Sequence, residues 1–323
     1  MSISPSQSIV SLLGISTNSL LIYCVIFHTP KIVKTYSKII LIHSISDFFS
    51  CLLVIPTKPR TIIIDRVFIF PSNGYCKFIS ATACGIGYDL IAQSFSYALY
   101  LIMGSLFYRY LILRDVNLKT KHLLCICFLF YIPCFLQVVF IQLATDQSDQ
   151  LYTIVHIKYP QYNLTGYIFN GVLDITNIYS LIGFGHGLLA PTPIYCAILY
   201  LRRSIVKSLE SATFRMSKNT KNMHNQLLKS LVIQSILPQV NLLAFACVCI
   251  EIFGIYSDEV LEESVLVFML FVPLATPIIS LIFIKPYNIR VRRILRFEVP
   301  KEDDGYGSNE RRTVTKVTPV FTI

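Results

Sequence analysis

The sequence has few charged residues for its length. Asp, Glu, Lys and Arg make up 14% of the 323 residues, whereas soluble globular domains contain about 25%. A soluble domain needs a charged surface, so the low fraction of charged residues excludes a soluble domain. Disordered chains are also rich in charged residues and poor in apolar ones, so the same low fraction excludes a disordered chain. Lys and Arg outnumber Asp and Glu by 28 to 18, and proteins that neutralise nucleic-acid phosphates show such an excess. The positions of the charges decide between a nucleic-acid partner and another interpretation.

Catalytic and metal-binding patterns are lacking as well. The sequence contains no H-E-x-x-H motif, the signature of one class of zinc-dependent hydrolase. Eight of the ten cysteines lie inside apolar runs, where a free cysteine behaves as a small hydrophobic residue. The two C-x-C pairs among them have no neighbouring His or acidic residue at zinc-like spacing. We therefore predict a protein that is not an enzyme and that has no metal and no cofactor.

Seven apolar runs are each long enough to cross a membrane. About 20 apolar residues span the roughly 30 Å of the hydrocarbon core. The third run is too long for one crossing, so part of it must tilt or emerge, and glycines and prolines interrupt the fifth. The sequence predicts an all-α bundle of seven transmembrane helices in residues 1–297, with a polar tail at 298–323. The runs cover approximately residues 5–27, 39–57, 78–113, 123–144, 178–201, 227–253 and 264–284.

The basic residues cluster on one side of this predicted bundle. Of the 28 Lys and Arg residues, 23 lie in or beside the first, third and fifth loops and the C-terminal segment. The sixth loop has none and carries four acidic residues. The positive-inside rule therefore places the C-terminus in the cytoplasm and, with seven crossings, the N-terminus outside. The second loop, with a net charge of +3, is an exception on the outer side. This distribution favours membrane lipids over nucleic acid as the partner and predicts a multi-pass protein of the cell membrane.

Two features of the outer loops are chemically specific. Asn163 begins the single N-x-[ST] match, in the fourth loop, so it is either a glycosylation site or a chance match. The fourth loop contains no cysteine, so Cys76 has no partner there. A Cys76–Cys84 disulfide requires a non-helical segment before about residue 82. In a straight helix the two residues would be about 12 Å apart, too far to bridge.

Asp47 is an ionisable residue near the middle of the second run. Such groups are costly in a membrane and usually functional. Asp47, Ser44 and Ser46 either share a hydrated pocket for a cation or proton, or Asp47 is satisfied by neighbouring helices without any ligand. We keep Asp47 as a candidate intramembrane polar site.

Polar residues at the outer ends of the spans are candidates for binding a ligand. Tyr88, Asp89 and Gln93 lie near the outer end of the third run, and His186 lies within the glycine-rich fifth. We expect them to line a cavity for a small molecule, with an interfacial Asp89 in water as the alternative. Glu251, near the end of the sixth run, is expected at the interface.

The predicted inner surface places basic residues beside the ends of helices. The third run ends in Tyr108-Arg109-Tyr110, and the fifth ends in Leu201-Arg202-Arg203. After the seventh run, apolar residues recur at helical spacing between arginines, which predicts an amphipathic helix on the anionic inner leaflet. The basic candidates for contact with a cytoplasmic partner are Arg109, Arg202, Arg203, Lys218, Lys221 and Lys229.

The chain resembles the nematode serpentine chemoreceptors of the Str-type superfamily, most closely their delta class. The resemblance covers about residues 10–297. Its most specific part is the block M-S-x-x-T-x-x-x-H-x-Q-L-L-K-x-L-x-I-Q-x-x-L-P from Met216 to Pro238. Tyr108-Arg109-Tyr110, Pro191-Thr192-Pro193 and the segment from Pro277 through Pro286-Tyr287 also match.

The resemblance implies a G-protein-coupled chemosensory receptor with a small-molecule ligand and a heterotrimeric G-protein partner, in the ciliary membrane of a sensory neuron. By position, Arg109 matches the helix-three arginine that engages the G protein or locks the inactive state, although Tyr108 replaces the usual acidic residue. Pro238 matches the hinge proline of helix six, and Pro277 with Tyr287 loosely matches the Pro…Tyr signature of helix seven. The predicted conformational hinges are Pro191, Pro193, Pro238, Pro277 and Tyr287. A multi-pass channel or transporter is the alternative, although a transporter is expected to show internal repeats and none is visible.

Overall fold

The computed structural model describes residues 5–30, 34–114, 116, 118–146, 149–162, 164–212 and 232–295. Within these ranges seven helices are long and apolar enough to cross a membrane, which confirms the predicted seven-helix bundle. Asn163, Lys218, Lys221, Lys229 and the tail at 298–323 lie outside the described residues.

The helices extend beyond several of the predicted apolar runs. The fifth span consists of two helices, Ile178–Leu189 and Pro191–Ala212, and the sixth contains the helix Pro238–Ile252. The second and seventh spans begin five residues earlier than predicted because their first turns contain polar residues, which a search for apolar runs omits. The helices are α1 Pro5–Phe27, α2 Lys34–Thr57, α3 Ala81–Leu113, α4 Thr120–Ala144, α5 Asp149–Lys158, α6 Ile178–Leu189, α7 Pro191–Ala212, α8 Pro238–Ile252, α9 Glu259–Phe283 and α10 Lys285–Ile294.

The long third run forms one continuous helix. α3 has 33 residues, so at 1.5 Å per residue it is about 50 Å long and exceeds the hydrocarbon core. Ser80 caps its first turn, because its hydroxyl accepts a hydrogen bond from the Ala83 amide at 3.0 Å. Part of α3 therefore tilts or extends past the membrane, as its length requires.

Small and polar residues bring the spans together. Lipid tails are as apolar as leucine, so membrane helices associate through close packing and hydrogen bonds. A Cβ at Gly14 of α1 would lie 2.5 Å from the Cys51 sulfur of α2, so this helix contact needs glycine. Asn18 of α1 donates to the Pro273 carbonyl of α9 at 2.9 Å. Large apolar side chains such as Phe128 of α4 are exposed on the outer surface, as expected for a lipid-facing helix.

A three-stranded antiparallel sheet covers one end of the bundle, and the search for apolar runs did not predict it. The strands β1 Ile62–Ile64, β2 Val67–Ser72 and β3 Ile168–Val172 pair in the order β1-β2-β3. Asp65 forms the β1–β2 turn at φ 54°, a left-handed conformation that Asp tolerates better than most residues. A Cβ at Gly171 would lie 2.3 Å from the Phe68 carbonyl oxygen, so β3 fits only with glycine there.

We call this covered end the sheet end and the opposite end the Arg109 end. A core cluster lies beneath the sheet, where Phe68, Phe70 and Val172 meet Val248 of α8 and Val265 of α9. The largest core cluster fills the bundle towards the Arg109 end. Its fully buried side chains include Leu21, Leu101, Ile102, Leu106, Ile198 and Tyr287.

Candidate functional sites at the two ends of the bundle

Arg109 is buried among tyrosines at the end of α3. It is 4% exposed, and its guanidinium carbon lies 4.3 Å from the centroid of the Tyr36 ring. The Tyr36 ring in turn stacks on Tyr108 at 6.0 Å. A cation over an aromatic face is worth about 0.5–2 kcal/mol, depending on its exposure to water. Since Tyr36 belongs to the first turn of α2, the contact joins α2 to α3 and fixes the direction of the Arg109 side chain.

Tyr287 lies at the same end but on a separate helix from Pro277. Pro277 is inside α9, whereas Tyr287 belongs to α10. Tyr287 is 1% exposed, and its hydroxyl is 2.9 Å from that of Thr29. Burial raises the pKa of Tyr287 to about 12. The ten-residue separation of Pro277 and Tyr287 therefore includes the helix break at Ile284.

The helix α10 combines one buried side with an exposed basic side. Tyr287 is buried and Val291 packs against the main core, while Arg292 and Arg293 are exposed. Arg290 donates to the Tyr23 hydroxyl of α1 at 3.1 Å. This is the amphipathic helix that the spacing of apolar residues predicts.

The remaining described basic candidates are accessible on α7. Arg203 is exposed and Arg202 is partly buried, and both lie in the second half of α7. The structure therefore leaves Arg203 open to solvent, in contrast to the buried Arg109.

The prolines predicted as hinges coincide with helix breaks or helix interiors. The fifth span breaks at Ala190, and Pro191 begins α7, with Pro193 in its first turn. Pro238 begins α8 after a turn, and Pro277 lies inside α9. Proline lacks a backbone N–H, so each position removes or displaces a helical hydrogen bond.

The break before α8 is visible in the backbone hydrogen bonds. The Ile236 amide bonds to the Ile233 carbonyl at 3.0 Å, and the Gln239 amide bonds to the Ile236 carbonyl at 3.0 Å. These bonds join residues three apart rather than four, which is a tighter turn than an α-helix. The sixth span is therefore discontinuous at Pro238.

At the sheet end, Arg60 is the centre of a buried charged cluster that we call the Arg60 clasp. Arg60 Nε donates to Glu262 Oε2, and Arg60 Nη1 lies 3.6 Å from Glu259 Oε1. The Tyr162 hydroxyl donates to Glu262 Oε1 at 3.0 Å, and the guanidinium lies 4.5 Å from the centroid of the Tyr162 ring. The clasp, Arg60, Tyr162, Glu259 and Glu262, joins the second and fourth loops to α9.

The clasp changes the electrostatics of its members. Burial acts to lower the pKa of Arg60, but the neighbouring Glu262 and Glu259 carboxylates outweigh it and raise that pKa. Burial, followed by the Glu262 charge, raises the pKa of Tyr162. The pairing also accounts for the basic second loop, since one of its charges is neutralised by acids at the start of α9.

A disulfide joins Cys76 to Cys84 between the short 3₁₀ helix that follows β2 and the first turn of α3, with Cα atoms 5.2 Å apart. Cys76 lies in a short 3₁₀ helix, Tyr75–Phe78, and α3 begins only at Ala81. The segment before residue 82 is thus not a straight α-helix. The sequence allowed a Cys76–Cys84 disulfide only on that condition.

The candidate ligand residues point to different neighbours. The Tyr88 hydroxyl is 3.2 Å from the Thr61 hydroxyl, and the Tyr88 ring stacks on Phe70 at 4.1 Å. Asp89 accepts from the Gln142 side chain at 2.6 Å. Each of these two candidates therefore contacts a different part of the sheet end.

His186 forms a third, separate cluster, and Gln93 is buried. The His186 ring nitrogens lie 2.8 Å from Gln137 Oε1 and 3.2 Å from the Tyr100 hydroxyl. A crevice beside His186 and Tyr100 has about 150 Å³ of empty volume and no room for a water-sized sphere, whereas ligand pockets usually measure about 300–1,000 Å³. Within the described part of the chain, Tyr88, Asp89 and His186 thus have different hydrogen-bond partners.

Asp47 is buried in the middle of the bundle. It is 1% exposed, and its Oδ2 atom lies 3.6 Å from His43 Nε2, one helical turn earlier. Neither of these two atoms has a hydrogen-bond partner among the residues that the structure describes. Ser44 is buried and Ser46 is partly buried, so Asp47 contacts a histidine that was not among its predicted partners.

Glu251 is a buried acid that sequence reasoning placed wrongly at the interface. It is 4% exposed, and both of its carboxylate oxygens lack a hydrogen-bond partner within the described part of the chain. Its position near the end of an apolar run suggests access to water. The sheet that folds over this end removes that access, and the loops gave no sequence signal for it.

Comparison with solved structures finds the same seven-helix fold in another protein. The structure of squid rhodopsin superposes with a TM-score of 0.62 at 12% sequence identity, covering 91% of this chain and 84% of that one. At this identity the likeness shows the seven-helix receptor fold alone.

Sequence comparison is more specific. The chain is 30% identical to serpentine receptor class delta-18 and to class delta-19 of Caenorhabditis elegans, each over 88% of this chain and 86% of the relative. Class delta-3 of the same organism is also 30% identical, over 87% of this chain and 83% of the relative. The family described as "Serpentine type 7TM GPCR chemoreceptor Srd" matches residues 5–293. The chain therefore belongs to the Srd family of serpentine seven-transmembrane chemoreceptors, which confirms the resemblance found in its sequence.

Proposed function

We propose that this protein detects an environmental small molecule and signals to a heterotrimeric G protein through its Arg109 end. The observation that carries the proposal is the position of Arg109, buried at the end of α3 by Tyr36 and Tyr108. A buried cation held by aromatic contacts is available to a partner only after the helices move. A ligand that binds the two helix arrangements with different affinity would shift their populations and expose it.

The proposed orientation follows from charge and redox chemistry. The Arg109 end carries most of the basic residues and faces the cytoplasm, with Arg202, Arg203, Lys218, Lys221 and Lys229 near the G protein. The sheet end faces outward, where a disulfide such as Cys76–Cys84 persists in an oxidising environment. Asn163 lies on the outer side and is glycosylated in this proposal. Residues 1–297 form the receptor domain, residues 298–323 form a cytoplasmic tail, and the receptor acts in a sensory-neuron ciliary membrane.

The proposed conformational change uses the proline positions. The discontinuity at Pro238 supports an outward movement of the sixth span, and the breaks at Pro191 and Pro193 support an adjustment of the fifth. Pro277 and Tyr287 bracket the junction between α9 and α10. Ligand binding near Tyr88, Asp89, Gln93 and His186 would bias these hinges. Asp47, which lies between the two ends, would couple them through its buried charge.

The test compares receptor variants in cells that report activation of a G protein. Screening volatile and water-soluble compounds identifies an agonist, and the response is then measured for Arg109→Ala at equal surface expression. We expect this variant to lose the response. Arg114→Ala is the matched control, because Arg114 is an exposed arginine just after the same helix, and it should retain the response.

Two results would contradict the proposal. An unchanged agonist response in Arg109→Ala would show that this arginine has no part in coupling. An agonist-evoked ion current in membranes without G protein would instead favour the channel alternative.

A further inference from the structure

Glu251 combines burial with an unsatisfied carboxyl group. The residue is 4% exposed, and neither carboxylate oxygen accepts a hydrogen bond from any residue that the structure describes. Buried carboxylates are normally paired or hydrogen-bonded, because removing the charge from water is costly. A carboxylate held in this way has full capacity to accept two hydrogen bonds from a donor that enters the site.

The neighbouring charges cannot satisfy Glu251. Arg60 donates to Glu262 and lies 3.6 Å from Glu259, and it makes no hydrogen bond to Glu251. Glu262 also interacts with Glu251 and repels it. Arg60 thus pairs with the two acids of the clasp, and the Glu251 carboxyl group is left without a hydrogen-bond partner among the described residues.

The surroundings of Glu251 decide which kind of cation fits. One turn before it, Cys247 and Val248 belong to the apolar cluster beneath the sheet. In the same cluster the Phe70 and Tyr88 rings stack at 4.1 Å. Metal ions need several ligands at once, and the described residues contain no group of three or more His, Cys, Asp or Glu side chains that could hold one. A cation with an apolar body matches both the carboxylate and the rings.

We propose that Glu251 binds the protonated amine of a small apolar or aromatic ligand, whose body packs against the cluster beneath the sheet. The proposal names the ligand class for the chemoreceptor function proposed above and rests on it. The ammonium group donates to the two free carboxylate oxygens, and the aromatic rings add cation–π attraction. The Arg60 clasp lies beside this site and holds the loops that cover it.

The position of Glu251 on α8 connects this site to the other end of the bundle. Glu251 is 13 residues after Pro238, so about 20 Å of helix separates the carboxylate from the break in the sixth span. A ligand that pulls on Glu251 therefore acts on the helix that begins at this break. No other described helix combines an unpaired buried acid at one end with a proline break at the other.

The test measures binding directly on the purified full chain in lipid nanodiscs, without G protein. The probes are 2-phenylethylamine, cyclohexylamine and octylamine, each compared with the alcohol of the same shape. At least one amine should raise the melting temperature in a concentration-dependent manner, and its alcohol should not. Glu251→Gln should weaken binding of that amine at least tenfold, whereas Glu263→Gln, which removes an acid at a partly buried position of α9, should bind it normally.

Folding does not obscure the test. Glu251→Gln keeps the size of the side chain and removes an unpaired buried charge, so its melting temperature without amine should equal or exceed that of the original chain. Glu251→Asp provides a second variant, which keeps the charge, withdraws it by one methylene, and should bind the same amine more weakly without losing the preference for amine over alcohol.

The results separate this proposal from the proposed function. Equal effects of amines and alcohols, or normal amine binding by Glu251→Gln, would overturn the amine site. Signalling evoked only by neutral compounds would support the receptor function and overturn the amine site. Amine binding that depends on Glu251 but evokes no G-protein response from any compound would support the site and contradict the receptor function.

Discussion

At the sheet end, a disulfide, a three-stranded sheet and the Arg60 clasp join the loops to each other and to α9. At the Arg109 end, the described contacts are weaker, and at least one partner in each contact is uncharged. They are an arginine over a tyrosine ring, two stacked tyrosine rings and a pair of hydroxyl groups. Contacts of the second kind contribute about 1 kcal/mol each. A moderate ligand-binding energy can rearrange such an end, whereas the sheet end resists rearrangement.

This comparison predicts a division of mutational effects. Substitutions at the sheet end should lower stability and leave the signal per folded receptor unchanged. Substitutions at the Arg109 end should alter signalling with little loss of stability.

The largest effect is expected when the Arg60 clasp loses one partner. Glu262 is completely buried, so Glu262→Ala leaves the Arg60 charge buried without its main partner. Breaking a buried pair in this way costs about 3–5 kcal/mol. Thermal unfolding in detergent measures the loss, with Glu263→Ala as the control for an acid outside the clasp. A loss below about 1 kcal/mol would show that the clasp does not hold the sheet end together.

An intermediate effect is expected from the disulfide. Cys76 and Cys84 close a loop with a sequence separation of 8, and loop-closure entropy for so short a loop corresponds to about 2–3 kcal/mol. Cys76→Ser should lower the melting temperature accordingly. Cys125→Ser, which removes an exposed free thiol, should change it little. Non-reducing mass spectrometry that finds both the Cys76 and Cys84 thiols free in the original chain would contradict the prediction.

The smallest effect on stability is expected at Tyr36. Tyr36→Leu removes the aromatic face under Arg109 and should cost about 0.5–2 kcal/mol. Because this contact holds Arg109 in its buried position, the variant should activate the G protein more strongly without ligand. Tyr36→Phe keeps the ring but loses the hydroxyl that hydrogen-bonds Arg109, so its basal activity should lie between those of Tyr36→Leu and the original chain. Equal basal activity in Tyr36→Leu, Tyr36→Phe and the original chain would show that the Tyr36 contact does not control signalling.

The transmembrane spans of this fold can be predicted from the sequence. A bilayer imposes a fixed thickness, so each crossing requires a run of about 20 apolar residues, and such runs can be counted without knowing which helix packs on which. The Arg109 motif is also local, so the sequence alone places this arginine near the end of the third span. The ends of α2 and α9 were placed less accurately, since polar first turns leave no apolar signal.

The candidate ligand site stays a prediction. Tyr88, Asp89 and His186 were grouped by depth along the spans, yet each contacts a different neighbour. Depth follows from the position in an apolar run, whereas the direction of a side chain depends on helix rotation. The sheet was not predicted, because its strands are short and lie between the apolar runs.

The sequence by itself determined that the chain crosses a membrane seven times, that it belongs to its receptor family and that 23 of its 28 Lys and Arg residues lie in or beside the first, third and fifth loops and the C-terminal segment. These properties depend on composition and local order along the chain. The tertiary structure alone decided that Arg60 pairs with Glu262, 202 residues away, and that Glu251 is buried without a partner. Such features arise when distant segments fold against each other, because an ion pair or a covered carboxylate depends on distance in space and not on spacing in the sequence.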